Sequence, residues 1–180
     1  MAHTLSLSLG EVIDCKDHHF GFGLTKWHYA NPPAQPTWGR LIRLMLAYRS
    51  GKAPDIGDIR QYQEKASGMK NGETCVIELC SLAAPNLNAP GVHGLFLEER
   101  IREIRQRILD YKPTFVVMYG VLHKPHWEAI TGCPFGPDNM LKIGPTVAAV
   151  ALHPVSFGLK NSYWFNLAET LRHEVGLTVR

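Results

Sequence analysis

Residues 147–152, VAAVAL, are an unbroken run of small and branched apolar residues, and this run constrains the fold most. Such a run is typical of a strand that is buried on both faces, as in a parallel sheet. Pro154 ends the regular pairing because it lacks a backbone N–H. A short loop then leads to a helix that begins near Asn161 or Ser162, since either residue is a competent N-cap. Ligands of open α/β sheets bind beyond the carboxyl ends of the strands, so His153 stands where a site is expected.

Strand and helix patterns alternate along the rest of the chain. Further strands are predicted at residues 4–9, 74–80 and 115–119, with residues 24–29 as an alternative first strand. Helices are predicted at residues 37–49, 55–65, 96–110, 125–131 and from about 161 to 176. The alternation predicts an α/β fold, namely a three-layer α/β/α sandwich with a central, mostly parallel four-stranded sheet. We expect a single domain over residues 1–180.

The composition limits the class of protein. Of the 180 residues, 45% are apolar and 19% are charged, which is typical of a globular domain. No apolar run is long enough to span a bilayer and the N-terminus does not resemble a signal peptide, so we expect a cytoplasmic protein without membrane contacts. The net charge of +3 is too small to indicate nucleic-acid binding by itself. The four cysteines form no CxxC pair, so we expect reduced thiols, no metal and no cofactor.

Polar residues collect at the predicted carboxyl ends of the strands. His153 could donate a hydrogen bond to an oxygen that gains negative charge, although a histidine that only caps a strand is an equally good interpretation. Glu78 interrupts an apolar strand, so its carboxylate either pairs with an arginine or faces a ligand. Glu11 and Asp14 follow the first strand, where a carboxylate could hold a water molecule or stabilise a cationic sugar. Exposed loop carboxylates are the alternative interpretation for both.

These residues, in this order, resemble the motifs of the uracil-DNA glycosylase superfamily. The corresponding segments are LGEVI at 9–13, HYANPPAQPTWGRL at 28–41, IEL at 77–79, FVVMYG at 115–120 and HPVS at 153–156. The resemblance covers most of the chain. It implies that a base is flipped out of DNA into a crevice at the carboxyl ends of the strands. Hydrolysis of the N-glycosidic bond of that base would leave an abasic site.

The resemblance also implies roles for individual residues. His153 would stabilise the oxygen of the departing base. The family's proline-containing motif is absent after Gly10, so the candidates for activating water are, in order, Glu11, Asp14 and Asn31. The implied base-binding residues are Glu78, Tyr29, Phe22 and Gly10. The implied DNA-binding residues are Ser156, Phe157, Leu159, Lys160, Asn86 and Lys124, with Phe157 or Leu159 as a wedge in the base stack.

Glu78 stands where the uracil-specific members of the family carry asparagine. An ionised carboxylate only accepts hydrogen bonds, which suits an exocyclic amine and favours a cytosine-type modified base over uracil. Some relatives remove glucosylated hydroxymethylcytosine from phage DNA, so phage defence is a hypothesis beside DNA repair. We expect a monomer that binds DNA and holds no iron–sulfur cluster. The alternatives are a catalytically inactive DNA-binding module of the same fold and a small nucleoside-cleaving hydrolase.

Overall fold

The computed structural model describes residues 17, 20, 21, 23, 25–69, 71–79 and 93–177 of the chain. These residues build a mixed α/β fold. Its elements are, in chain order, α1 (Pro36–Ser50), α2 (Ile56–Lys65), α3 (His93–Tyr111), β1 (Phe115–Tyr119), α4 (Lys124–Thr131), β2 (Met140–Ile143), β3 (Thr146–Ala151) and α5 (Asn161–Val175). Single 3₁₀ turns at Thr25–Trp27 and Val121–His123 precede α1 and α4.

β3 is the central strand of a three-stranded sheet with the order β1-β3-β2. β1 pairs with β3 in parallel, which places Tyr119 opposite Ala151 at the carboxyl ends of both strands. β2 pairs with β3 antiparallel, with Ile143 opposite Thr146. Every residue of β3 is buried, as its unbroken apolar run predicts. The sheet that the structure describes is therefore mixed.

Helices cover both faces of this sheet. Val147, Ala149 and Ala151 pack against α1 and α5, whereas Ala148 and Val150 face the opposite way and pack against α3 and α4. This alternation follows from the two-residue period of a strand, whose successive side chains point to opposite faces. Both apolar faces of β3 are thus used for packing, which explains why its sequence shows no polar alternation.

The helix ends follow capping residues that the sequence makes visible. The Asp55 side chain accepts a hydrogen bond from the Asp58 N–H (2.8 Å), and the Asp58 carboxylate accepts one from the Asp55 N–H (3.2 Å). This capping box begins α2 where it was predicted. Gly51, Gly132 and Gly176 adopt left-handed backbone conformations and end α1, α4 and α5.

Two strand predictions differ from the structure. Residues 74–79 pair with no other strand, so the prediction of a strand there is wrong over those residues. Ile77 and Leu79 nevertheless pack into the core beside α3, so the apolar pattern reports burial without strand pairing. Of the two alternatives for a first strand, residues 4–9 lie outside the described residues, and Thr25–Trp27 is a 3₁₀ turn rather than a strand.

β2 is the strand that sequence reasoning missed. It has four residues, none of them buried, and it lies at the edge of the sheet. A four-residue edge strand carries too few residues for a recognisable alternation. Its conformation is stabilised instead by its pairing with β3, which is apparent only in three dimensions.

Candidate functional site

The loops that follow β1 and β3 leave the sheet side by side, because the two strands are parallel neighbours. The Gly120 N–H donates to the Ala151 carbonyl (2.9 Å), which extends the pairing to the last residue of β3. We call the surface formed by residues 119–123 and 152–157 the carboxyl edge. In open α/β sheets this is the surface where ligands bind.

His153 lies at the carboxyl edge, exposed to solvent and followed by the fully buried Pro154. Its Nδ1 accepts a hydrogen bond from the Val155 N–H (3.3 Å), and its carbonyl accepts one from the Ser156 N–H (2.9 Å). Because Nδ1 is an acceptor, the proton of the neutral imidazole belongs on Nε2. The local turn therefore leaves His153 with one N–H donor that is available to a ligand.

Tyr163 of α5 fixes the point where β3 ends. Its hydroxyl oxygen accepts a hydrogen bond from the Leu152 N–H (3.0 Å), the residue just before His153. The bond satisfies a backbone donor that has no strand partner, and it ties the loop to a helix whose other face is in the core. The backbone at His153 is therefore held by two hydrogen bonds, one from the Leu152 N–H to Tyr163 and one from the Ser156 N–H to the His153 carbonyl.

Tyr119 is a neighbour of both His153 and Glu78. The rings of Tyr119 and His153 meet edge to face, with their centroids 5.5 Å apart. Burial raises the pKa of Tyr119, and the negative charge of Glu78 raises it further. Glu78 is exposed rather than buried in a strand, which corrects the predicted environment. Its backbone carbonyl accepts a hydrogen bond from the Arg100 Nε (3.0 Å).

His123 and His126 join the carboxyl edge, and sequence reasoning did not single them out. Burial lowers the pKa of His123, and the positive charges of His126 and His153 lower it further. The rings of His123 and His126 stack with centroids 6.2 Å apart. The available signal was their position just after the predicted strand at 115–119, at the carboxyl end where ligands of α/β sheets bind. In the described part of the chain, no three His, Cys, Asp or Glu residues are grouped to hold a metal ion.

Gly120 makes room for the His123 ring. Its φ of 98° lies in the left-handed region, and a Cβ on this residue would lie 3.1 Å from His123 Cδ2. The Gly120 carbonyl also accepts hydrogen bonds from the His123 N–H (2.9 Å) and from the Trp127 indole (3.1 Å). A glycine at the end of β1 is therefore required by both backbone conformation and space.

The loops of the carboxyl edge expose large apolar side chains. Phe157 is fully exposed, Leu122 is 89% exposed and Val155 is 51% exposed. Large exposed apolar surface is typical of binding sites. They come from both loops, Leu122 from the loop after β1 and the other two from the loop after β3.

Phe157 and Leu159, the two residues predicted as a wedge, differ in their surroundings. Leu159 packs against the core formed with α1 and α5, and its carbonyl accepts a hydrogen bond from Arg40 (3.2 Å). Gly158, between the two residues, has a φ of 72° and open space around its Cα. The turn at Gly158 separates the exposed Phe157 side chain from the Leu159 side chain, which anchors the loop.

Asn31 and Tyr29 have no described contact with the carboxyl edge. The Asn31 N–H donates to the Glu64 carboxylate (3.2 Å), and its side-chain oxygen accepts from Arg60 (3.3 Å), so this residue is held against α2. Tyr29 is 57% exposed and meets the Phe20 ring edge to face, with centroids 6.3 Å apart. The structure therefore does not bring these two predicted site residues together with His153.

The remaining predicted residues are distributed as follows. The Lys124 ammonium donates to the Asn139 side chain (3.1 Å), Lys160 is exposed just before α5, and Ser156 is half-buried in the turn after His153. Five predicted site residues lie outside the described residues: Gly10, Glu11, Asp14, Phe22 and Asn86.

Comparisons with known proteins gave no match. No protein-family model matches the chain, and neither the curated proteins nor the solved structures gave a match. Within the described residues, no helix has the length and apolar character needed to cross a bilayer. The resemblance to the uracil-DNA glycosylase superfamily therefore stays a prediction drawn from the residues themselves.

Proposed function

We propose that this protein is a DNA glycosylase that flips a non-standard base out of DNA and hydrolyses its N-glycosidic bond. The observation that carries the proposal is His153, whose Nδ1 accepts the Val155 N–H and whose Nε2–H has no partner among the residues that the structure describes. Cleavage transfers the bonding electrons to the base, and negative charge develops on its carbonyl oxygen. A fixed N–H donor stabilises that charge and so lowers the barrier.

The sugar carries the opposite charge in this reaction. As the C1′–N bond breaks, the deoxyribose becomes an oxocarbenium ion, water adds its oxygen to C1′, and the proton released ends on the departed base. Glu11 and Asp14 are the proposed activators of that water. Asn31 is the weakest of the three candidates, because its backbone and side chain already bond to Glu64 and Arg60.

Glu78 is the proposed selector of the base. Its negative charge acts on Tyr119, whose ring touches His153, so a base near His153 lies within the field of this carboxylate. A carboxylate attracts an exocyclic amine, which supports cytosine-type modified bases, including the glucosylated hydroxymethylcytosine of phage DNA, over uracil.

Phe157 is the proposed wedge. A fully exposed ring on a loop of the carboxyl edge matches the side chains that enter a base stack and fill the space left by a flipped base. Lys124 and Lys160 are the proposed phosphate contacts beside it. The same proposal includes a central, mostly parallel four-stranded sheet. It also includes a monomer in the cytoplasm with a role in repair or phage defence.

A DNA-binding module without catalytic activity is the second candidate. It is favoured by Asn31, the one described candidate for activating water, because hydrogen bonds hold that residue against α2. Such a module would keep the exposed apolar side chains and lysines and would bind DNA without excising a base. A nucleoside-cleaving hydrolase would instead act on free nucleosides and would need no wedge.

One assay separates these functions. The protein is incubated with duplexes that carry uracil, hypoxanthine, hydroxymethylcytosine or its glucosylated form, and alkali-labile abasic sites are scored. The proposal predicts abasic sites in at least one duplex, and Glu78→Asn should shift the preference among bases. DNA binding without abasic sites supports the inactive module. Turnover of free nucleosides without DNA binding supports the hydrolase, and both results reject the glycosylase.

A further inference from the structure

A cleft of about 180 Å³ lies between the first half of α1, the start of α2 and the start of α5. It is distinct from the carboxyl edge, and no residue proposed for base excision lines it. Two of its lining residues are Arg40 and Arg43, and a third is Asn161, the first residue of α5. Among the described residues, no acidic side chain lines it. Two guanidinium groups and an amide therefore supply hydrogen-bond donors and positive charge to a cleft whose remaining lining is mostly apolar.

Arg40 and Arg43 lie three residues apart on α1, so their side chains leave the same face of the helix. Neither forms an ion pair with any residue that the structure describes. Their hydrogen bonds go to neutral carbonyls instead, from Arg40 to Leu159 (3.2 Å) and from Arg43 to Pro54 (3.0 Å). Each guanidinium has five N–H donors, so most of the donor capacity of both remains.

Three other arginines of the chain differ in this respect, because they form ion pairs. Arg100 and Arg107 both pair with Glu103, at 2.5 Å and 2.7 Å, and Arg49 pairs with Glu73 at 2.9 Å. Arg43 is half-buried, and its Nε is buried without a hydrogen-bond partner among the described residues. Burial without a counter-charge lowers the pKa of Arg43. A half-buried cation of this kind is stabilised by an anion.

We propose that this cleft binds a phosphate group, either from a nucleic-acid backbone or from a small phosphate ester. Two guanidinium groups and an amide around one small cleft match the several oxygens of a phosphate, and arginine binds phosphate through two parallel hydrogen bonds. The Arg40 bond to the Leu159 carbonyl connects the cleft with the loop that carries Phe157. The binding itself does not depend on base excision, so the two proposals stand separately.

Charge and space are tested by different variants. Arg40→Gln and Arg43→Gln each remove one positive charge, and Arg102→Gln, at an exposed position on α3, is the matched control. Gly39→Leu fills the cleft without changing charge. A Cβ at Gly39 meets only ordinary contacts, 3.9 Å from Ile59 Cγ2 and 4.0 Å from Ala34 Cβ, so the first atom of the new side chain fits without a clash.

The probes are inorganic phosphate, thymidine 5′-monophosphate, a short single-stranded oligonucleotide and the matching duplex, each titrated by calorimetry. We expect Arg40→Gln and Arg43→Gln to weaken binding about tenfold each, and Gly39→Leu to weaken it similarly. For the oligonucleotides, each arginine variant should lower the slope of log affinity against log salt by about 1. Arg102→Gln should bind like the unmodified protein.

The source of the phosphate follows from which probes bind. Binding of the oligonucleotides alone identifies a nucleic-acid backbone, and binding of the two small probes identifies a phosphate ester. The proposal is overturned if no probe binds, or if the variants at the cleft bind like Arg102→Gln. Circular dichroism checks folding. If Arg43→Gln does not fold, Arg40→Gln and Gly39→Leu decide the question.

Failure here is distinguishable from failure of the glycosylase proposal. If the protein produces abasic sites but Arg40→Gln does not change its phosphate binding, the cleft proposal is rejected and the glycosylase proposal stands. If the protein produces no abasic sites but Arg40→Gln weakens its phosphate binding, the glycosylase proposal is rejected and the cleft proposal stands.

Discussion

The two ends of β1 and β3 contrast sharply, although they belong to the same pair of strands. At the amino end, the buried Thr146 hydroxyl donates to the Pro113 carbonyl (2.6 Å), and the Val147 N–H donates to the Thr114 carbonyl (3.1 Å). At the carboxyl end, His153 keeps an available donor and Phe157 is fully exposed. The amino end directs its side-chain hydroxyl into the fold, whereas the carboxyl end presents the His153 imidazole and an apolar ring to solvent.

This difference separates residues that stabilise the fold from residues that are available to a ligand. The amino end contributes to the free energy of unfolding, because each of its hydrogen bonds joins two chain segments. The carboxyl end presents apolar surface and donors that add little to the fold. Substitutions at the two ends should therefore change different quantities.

The largest expected effect is on catalysis, in His153→Ala. Loss of the Nε2–H donor should lower the excision rate about 10²- to 10³-fold, which corresponds to about 3–4 kcal/mol of transition-state stabilisation. The free energy of unfolding should stay within about 0.5 kcal/mol, because the imidazole is exposed. Single-turnover kinetics and urea denaturation measure the two quantities. An unchanged rate would remove His153 from the reaction.

The next effect is on stability, in Thr146→Val at the amino end. The substitution keeps the side-chain shape and removes the hydroxyl, so the Pro113 carbonyl loses its partner. We expect the free energy of unfolding to fall by about 1–2 kcal/mol, measured by urea denaturation. DNA affinity of the folded protein should not change. A loss of DNA affinity without a loss of stability would reverse the assignment of the two ends.

Phe157→Ala should have a smaller effect, on DNA binding. We expect affinity to fall about tenfold, or about 1.4 kcal/mol, without a change in stability because the ring contacts solvent. Leu159→Ala is the matched control, since Leu159 packs against the core and its truncation should lower the free energy of unfolding instead. Fluorescence anisotropy and urea denaturation report the pair. Equal losses of stability in both variants would contradict the distinction.

The smallest effect concerns pH and His123. Its pKa in the folded protein is lowered, so the unfolded chain binds more protons as the pH falls through the ordinary histidine pKa of about 6.5. The contribution of His123 to the free energy of unfolding is therefore present above that pH and is lost below it. His123→Gln should make stability less dependent on pH between about pH 5 and about pH 8. Urea denaturation that shows the same dependence in both proteins would contradict this.

The sequence predicts those parts of the fold that depend on local signals. Gly132 and Gly176 end helices by adopting a left-handed conformation, and Asp55 begins one by capping it, so each is recognisable from neighbouring residues. Residues 74–79 and β2 could not be predicted in this way. Residues 77 and 79 of that segment pack into the core without pairing to a strand, whereas β2 pairs with β3 although none of its residues is buried. Both outcomes depend on residues that are distant in sequence.

The candidate site divides in the same way. His153 could be predicted because a buried strand and a proline locate the carboxyl edge. The Tyr119 ring against His153 and the charge of Glu78 near Tyr119 depend on side-chain packing that no spacing indicates. Asn31 was predicted by its position in a motif, yet its hydrogen bonds go to α2.

The central claim is that the carboxyl edge binds DNA. The most direct test is an amide chemical-shift titration of isotope-labelled protein with a duplex that contains an abasic-site analogue. We expect the amide signals of Gly120, Leu122, Val155 and Phe157 to shift. Signals at the opposite end of the sheet, including that of Gly144, should not change. Shifts confined to the Gly144 end, or no shifts at all, would contradict it.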